Sequence, residues 1–285
     1  MEKRLTSQGP RDRSSFTVTL PKEWVLKEKL EKSKLVDLRV VGNKVVISPG
    51  GEQLSKASIN ADDYNKSLIK VIPGLYRLGV DELKINLADN RLLEKITELL
   101  SDKLIGYEVI EQGRSHIIIK DIAKESEEDF KTVLRRIFLL IFELSESKGE
   151  FYIKNLDRNI NKLCNYCLRI LMKKGHSEFL RTPLYYLLID QIEKLKDELT
   201  WVLNKQLTKN RLETLKEAIK LFRTAYEIFY KFNIKSFNDY SNRAFNLKNE
   251  IKLIDKIDLP GMHLHNISRI INSIYGTIFT INFQS

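Results

Sequence analysis

Apolar and polar positions follow two different periods along this chain. Near the start, Phe16, Val18 and Leu20 alternate with Thr17 and Thr19, the two-residue period of a half-buried strand. Pro21 then opens a short helix at its favoured first position. Lys34 to Val41 and Lys44 to Ser48 read as two more strands, joined across Gly42-Asn43 as a two-residue hairpin turn. Beyond Pro49-Gly50-Gly51 the pattern becomes mixed. Asn60 is placed to cap a helix that runs towards Tyr76 and is kinked near Pro73-Gly74. Asp81 to Leu87 alternates as a strand. Asp89-Asn90 starts a helix with Leu92, Leu93, Ile96, Leu99 and Leu100 on one stripe, and 104–110 pairs with 115–119 across Gln112-Gly113-Arg114.

From Lys124 onward the period is helical. Phe130, Val133, Leu134, Ile137, Phe138, Ile141 and Leu144 recur at steps of three and four within a helix over 127–147. Five more helices are expected at about 151–174, 182–206, 208–232, 236–257 and 262–281, the last after a stop at Pro260-Gly261. Short connections make successive helices antiparallel, and six such helices suit two three-helix bundles in tandem. The fold class is therefore α+β and multidomain: an N-terminal β module over 1–50, a small α/β domain over 51–123, and a helical bundle domain over 124–285.

Charge changes this picture at the ends. The chain has 285 residues and a net charge of +10. Residues 1–50 hold 11 Lys and Arg against 6 Asp and Glu, residues 51–150 sum to −4, and residues 151–285 to +9. A basic end module suits an anionic partner such as nucleic acid. So small a module also buries little surface, with Trp24, Leu30 and Val36 needing cover, and a second copy of itself is the simplest partner. No apolar run reaches the length of a membrane span, and Met1-Glu2-Lys3-Arg4 leads into no apolar signal region, so a cytoplasmic protein is expected.

Catalytic motifs are missing from the sequence. It has no Gly-rich phosphate loop, HExxH or GxSxG, so the chain is not read as an enzyme. Cys164-Asn165-Tyr166-Cys167 is a lone CxxC inside a helical pattern, with no second pair to complete a zinc site, and reads as two buried structural thiols. His116 reads as a core or edge histidine. His263 and His265, two apart, point to different faces of their helix.

Two family resemblances rest on particular residues. Arg4, the turn Gly9-Pro10-Arg11-Asp12-Arg13-Ser14, the strand Phe16 to Leu20, Leu20-Pro21-Lys22-Glu23-Trp24 and the hairpin after it resemble the AbrB/SpoVT family over about residues 1–50. That resemblance implies a swapped-hairpin homodimer that binds DNA through Arg4, Arg11 and Arg13, with Lys22 assisting. Leu75-Tyr76-Arg77-Leu78-Gly79-Val80-Asp81, Leu104 to Ile110, Asn155 to Leu163 and Ile192 to Asp197 resemble the archaeal PhoU-related phosphate uptake regulators, many of which carry an AbrB-like module in front. The combination implies a transcriptional regulator of phosphate uptake with a PhoU-like bundle that receives a signal or a signalling partner. The alternative is a PhoU-type adaptor that acts on a phosphate transporter and uses its β module only to dimerise.

The second resemblance also implies a divalent or iron metal ion held between helices by Glu and Asp four residues apart, which share a helix face. Glu193 and Asp197 preserve one such pair. On the facing helix Asp157 is kept, but Asn155 and Asn161 stand where carboxylates are expected; the candidate ligands are therefore Asp157, Asn161, Glu193 and Asp197. In the last helix Ser268 and Asn272 occupy the corresponding positions, and neither is acidic.

Overall fold

The computed structural model describes residues 4–8, 15–41, 44–50, 54–88, 91–123, 127–252 and 258–283. The chain divides into two compact units, residues 1–54 and residues 55–285.

The first unit contains β1 (Thr6–Gln8) paired antiparallel with β2 (Ser15–Thr17), then α1 (Lys22–Lys27), α2 (Leu30–Ser33), and a second antiparallel pair, β3 (Val36–Val41) with β4 (Lys44–Pro49). The strand expected to reach Leu20 ends at Thr17. Pro21, expected inside the helix, is its cap: it holds an extended backbone and α1 begins one residue later. The β3–β4 hairpin pairs in the expected register, Leu38 with Ile47 and Val40 with Val45; its turn, Gly42-Asn43, lies outside the described residues.

The second unit opens with β5 (Lys56–Asn60), a strand not anticipated from the sequence because its small residues Ala57 and Ser58 weaken the alternation. Two short 3-10 turns follow at Ala61–Asp63 and Asn65–Ser67. They lead to α3 (Leu68–Leu78), β6 (Glu82–Asn86), α4 (Arg91–Lys103), β7 (Tyr107–Gln112) and β8 (His116–Asp121). The helix expected to be capped by Asn60 thus starts seven residues later, at Leu68, and Pro73 is accommodated inside it. The strands form one sheet in the order β5-β6-β8-β7, with β5 parallel to β6 and the other neighbours antiparallel. Leu83, Ile85, Ile117 and Ile119 are fully buried on one face, whereas Lys84 on the other is exposed. This is the pattern of a sheet covered on one side.

The helical part consists of α5 (Glu127–Glu146), α6 (Glu150–Lys174), α7 (Thr182–Leu203), α8 (Lys209–Tyr230), α9 (Ile234–Lys252) and α10 (Leu259–Asn282). Pro260-Gly261, read as a stop, instead sits in the first turn of α10. Pro has no N–H to lose there, and Asp258 caps the end by accepting from Gly261 N–H at 3.0 Å. The helices α5, α6 and α7 pack on one another, α8, α9 and α10 do likewise, and α7 lies along α10. One continuous apolar core runs through all six helices, and a separate one lies beneath the sheet.

Candidate functional site

In the first unit the alternation of β3 and β4 puts Val36, Leu38 and Val40 on the same face as Val45, Ile47 and Pro49. That face is bare: Leu38 is 66%, Val40 75% and Val45 61% exposed. Among the described residues of the unit, Leu30 is the sole buried hydrophobic side chain. The basic side chains are on the surface as well, Arg4 ahead of β1 and Lys22 at the start of α1. Arg11 and Arg13, the other two residues expected at DNA, lie outside the described residues.

The second unit is held together by a buried arginine. Arg169 of α6 is 0% exposed and sits where the end of α3 meets the sheet. Its Nη1 donates to the carbonyl oxygens of Tyr76 and Val80, each at 2.8 Å, and its Nη2 to Asp81 Oδ1 at 2.7 Å and Asp121 Oδ2 at 2.6 Å. The rings of Tyr76 and Tyr107 lie 4.9 and 5.5 Å from the guanidinium carbon, and the Tyr107 hydroxyl donates to Val80 O. Lys173, one turn further along α6, reaches Asp81 at 2.6 Å. Burial works to raise the pKa of Asp81, but the hydrogen bonds from Lys173 and Ser55 N–H and the two cations outweigh it and hold it below the usual carboxylate range. Burial alone would make this arginine very costly; five donors in a fixed fork, each with an acceptor geometry at hand, make it tolerable.

A second polar seam runs along the α6–α7 groove. Asn165 accepts from Arg77 Nε at 2.5 Å and donates to Lys103 O at 2.9 Å, so one side chain of α6 holds both α3 and α4. Arg77 also approaches Glu193 at 3.3 Å. Burial, the strongest influence on Glu193, raises its pKa against the pull of Arg77 and Lys196.

The four residues expected at a metal occupy this same groove, and the structure divides them. Asp157, Asn161 and Asp197 converge, with the ammonium of Lys196 at their centre: Nζ lies 2.7 Å from Asp157 Oδ1 and 3.0 Å from Asn161 Oδ1, and it pairs with Asp197. The other Asp157 oxygen accepts from Asn161 Nδ2 at 3.2 Å. Glu193 stands apart with Arg77. Burial disfavours the Lys196 charge, but Asp157 and Asp197 more than compensate and raise its pKa above the ordinary lysine value. These oxygens do not fit a metal ion as folded, because the chain's own cation already holds them. Among the described residues no group of three or more His, Cys, Asp and Glu is arranged to hold one. Lys196 shows no sign of this role in the sequence, because it is flanked by Leu195 and Asp197 in what reads as a solvated helix turn.

Cys164 and Cys167 are free and buried, and burial pushes both thiols well above their ordinary range. His116 is partly exposed beside Glu111 at 3.1 Å. His263 stacks on Trp201 with ring centres 3.7 Å apart and pairs with Glu198, while His265 lies in a groove between α9 and α10. None of the helices, among the described residues, is long and apolar enough to cross a membrane. Comparison of the chain with protein-family models, curated proteins and solved structures gives no match.

Proposed function

We propose that this chain is a homodimeric DNA-binding transcriptional regulator whose first unit pairs with a second copy and contacts DNA. Phosphate uptake is the process that its sequence resemblances favour, and the helical unit receives the signal. The observation that carries the reading is the bare apolar face of β3 and β4. Covering Leu38, Val40 and Val45 is worth about 5 kcal/mol per chain at the usual 1.5–3 kcal/mol for each fully buried side chain, which is the scale needed to make a small module dependent on its partner. Pairing two copies also brings two sets of Arg4, Arg11, Arg13 and Lys22 into one assembly. Eight cations on phosphate would give a log K against log salt slope of roughly −7, shallower for each arginine that reads a base instead.

Capture of genomic fragments on the full-length protein, followed by affinity measurement at a fixed salt concentration, tests the proposal. Arg11→Ala with Arg13→Ala should abolish specific binding and leave the dimer intact, since charges in an exposed turn contribute little to stability. If the double variant binds as tightly as the parent, the β module serves dimerisation alone and the adaptor reading takes over.

A further inference from the structure

Away from the features above, a cavity of about 220 Å3 opens where α5, α7, α8 and the end of α10 meet the turn between α6 and α7. Its walls are aromatic and come from three helices: Phe130 of α5, Tyr185 of α7, and Phe229 and Tyr230 of α8. Tyr185 is the centre of the arrangement. It meets Phe130 edge to face at 5.5 Å and Phe229 at 6.3 Å, and the ring of His176 stacks on it at 4.3 Å and 20°. His176 is itself fixed, because its Nδ1 accepts from the backbone N–H of Glu178 at 3.1 Å. That bond leaves Nε2 as the protonated nitrogen of the neutral ring. Such mutually locked rings form a wall that needs no reorganisation to receive a flat ligand.

The charge at the cavity points one way. Lys131 and Arg181 line it, and among the described residues no carboxylate does. Arg181 meets Glu178 through its Nε at 2.9 Å. The Tyr185 hydroxyl has no hydrogen-bond partner among the described residues and is a further donor at the site. An aromatic cage for an organic cation would want carboxylates and no lysine or arginine at its rim; this one has the opposite. The volume is below the roughly 300–1,000 Å3 of cavities that hold drug-sized molecules, so the occupant is about one ring in size. We propose that this cavity binds a small single-ring aromatic acid, its ring against Tyr185, Phe130 and Phe229 and its carboxylate held by Arg181 and Lys131. This inference is independent of DNA binding by the first unit.

The test uses full-length protein, with benzoate, its uncharged counterpart benzamide, and benzyltrimethylammonium as probes, read by saturation-transfer NMR and titration calorimetry. Benzoate should bind about tenfold or more tighter than benzamide, the difference between a charge-assisted and a neutral hydrogen bond, and the ammonium probe should show no transfer. Lys131→Gln with Arg181→Gln, both at the rim, should bring the benzoate-to-benzamide ratio to about one at an unchanged melting temperature. If Arg181→Gln disturbs folding, Lys131→Gln alone must still narrow the ratio. No binding of benzoate at millimolar concentration, equal or tighter binding of the ammonium probe, or a ratio that survives in the folded variants would overturn the assignment.

Discussion

At the scale of single residues the second unit depends on a few buried charges, and they should fail in characteristic ways. Replacing Arg169 by Met strands Asp81 and Asp121 beneath the sheet and should cost about 3–5 kcal/mol, as removal of one member of a buried ion pair does; urea unfolding of the variant measures it. Because Asp81 titrates below its unfolded value near 3.9, its contribution is complete above that pH and is lost as the pH falls through the lower folded value. Stability followed from pH 5 downward should therefore drop, and Asp81→Asn should flatten the drop. Lys196 has the opposite sign. Its pKa is raised, so its contribution is full below about pH 10.4 and disappears only as the pH rises through the higher folded value. Lys196→Met should cost about 3 kcal/mol at neutral pH, and adding Asp157→Asn should recover part of it in a double-mutant cycle. The buried thiols should remain unlabelled by a thiol reagent at pH 8 in the native protein and react on unfolding.

At the scale of elements, the end of α3 positions everything that Arg169 touches. Gly79 has φ +94, its N–H bonds Tyr76 O at 3.0 Å, and Val80 N–H bonds Leu75 O at 3.1 Å, which together form a Schellman stop. A Cβ at Gly79 would stand 2.7 Å from Cγ of Lys173, a flexible side chain that can give way but that also holds Asp81. Gly79→Ala should thus cost about 1–2 kcal/mol from the left-handed backbone. Comparing its melting temperature with that of Lys173→Ala separates backbone strain from the loss of the Lys173 contact.

For the whole molecule, the proposed pairing through the bare face of β3 and β4 would make stability a function of concentration. The melting transition of the first unit should move up as protein concentration rises, and light scattering should give twice the chain mass. Leu38→Lys with Val40→Lys should convert the protein to a monomer, because two charges would have to be desolvated in the new interface. A monomer mass for the parent chain at micromolar concentration would exclude the dimer on which the proposed function stands.

The sequence by itself determined where the period changes from two to 3.6, and hence the β3–β4 hairpin, the sheet strands β6 and β8, and all six long helices to within a few residues at their ends. Periodicity records which side of an element is apolar, and that is a local property. Tertiary structure alone decided what each polar side chain meets inside. Arg169 interrupts the apolar run Leu168 to Leu171 and was readable as a charge in a buried position, yet its partners lie 48 and 88 residues away. The four candidate metal ligands are divided: Asp157, Asn161 and Asp197 surround Lys196, whose ammonium crosses from α7 to the α6 oxygens, while Glu193 pairs with Arg77. The aromatic cavity has no signature at all in the sequence. Phe130, His176, Tyr185 and Phe229 belong to three helices and a turn, and only the packing of α5, α7 and α8 makes them one wall.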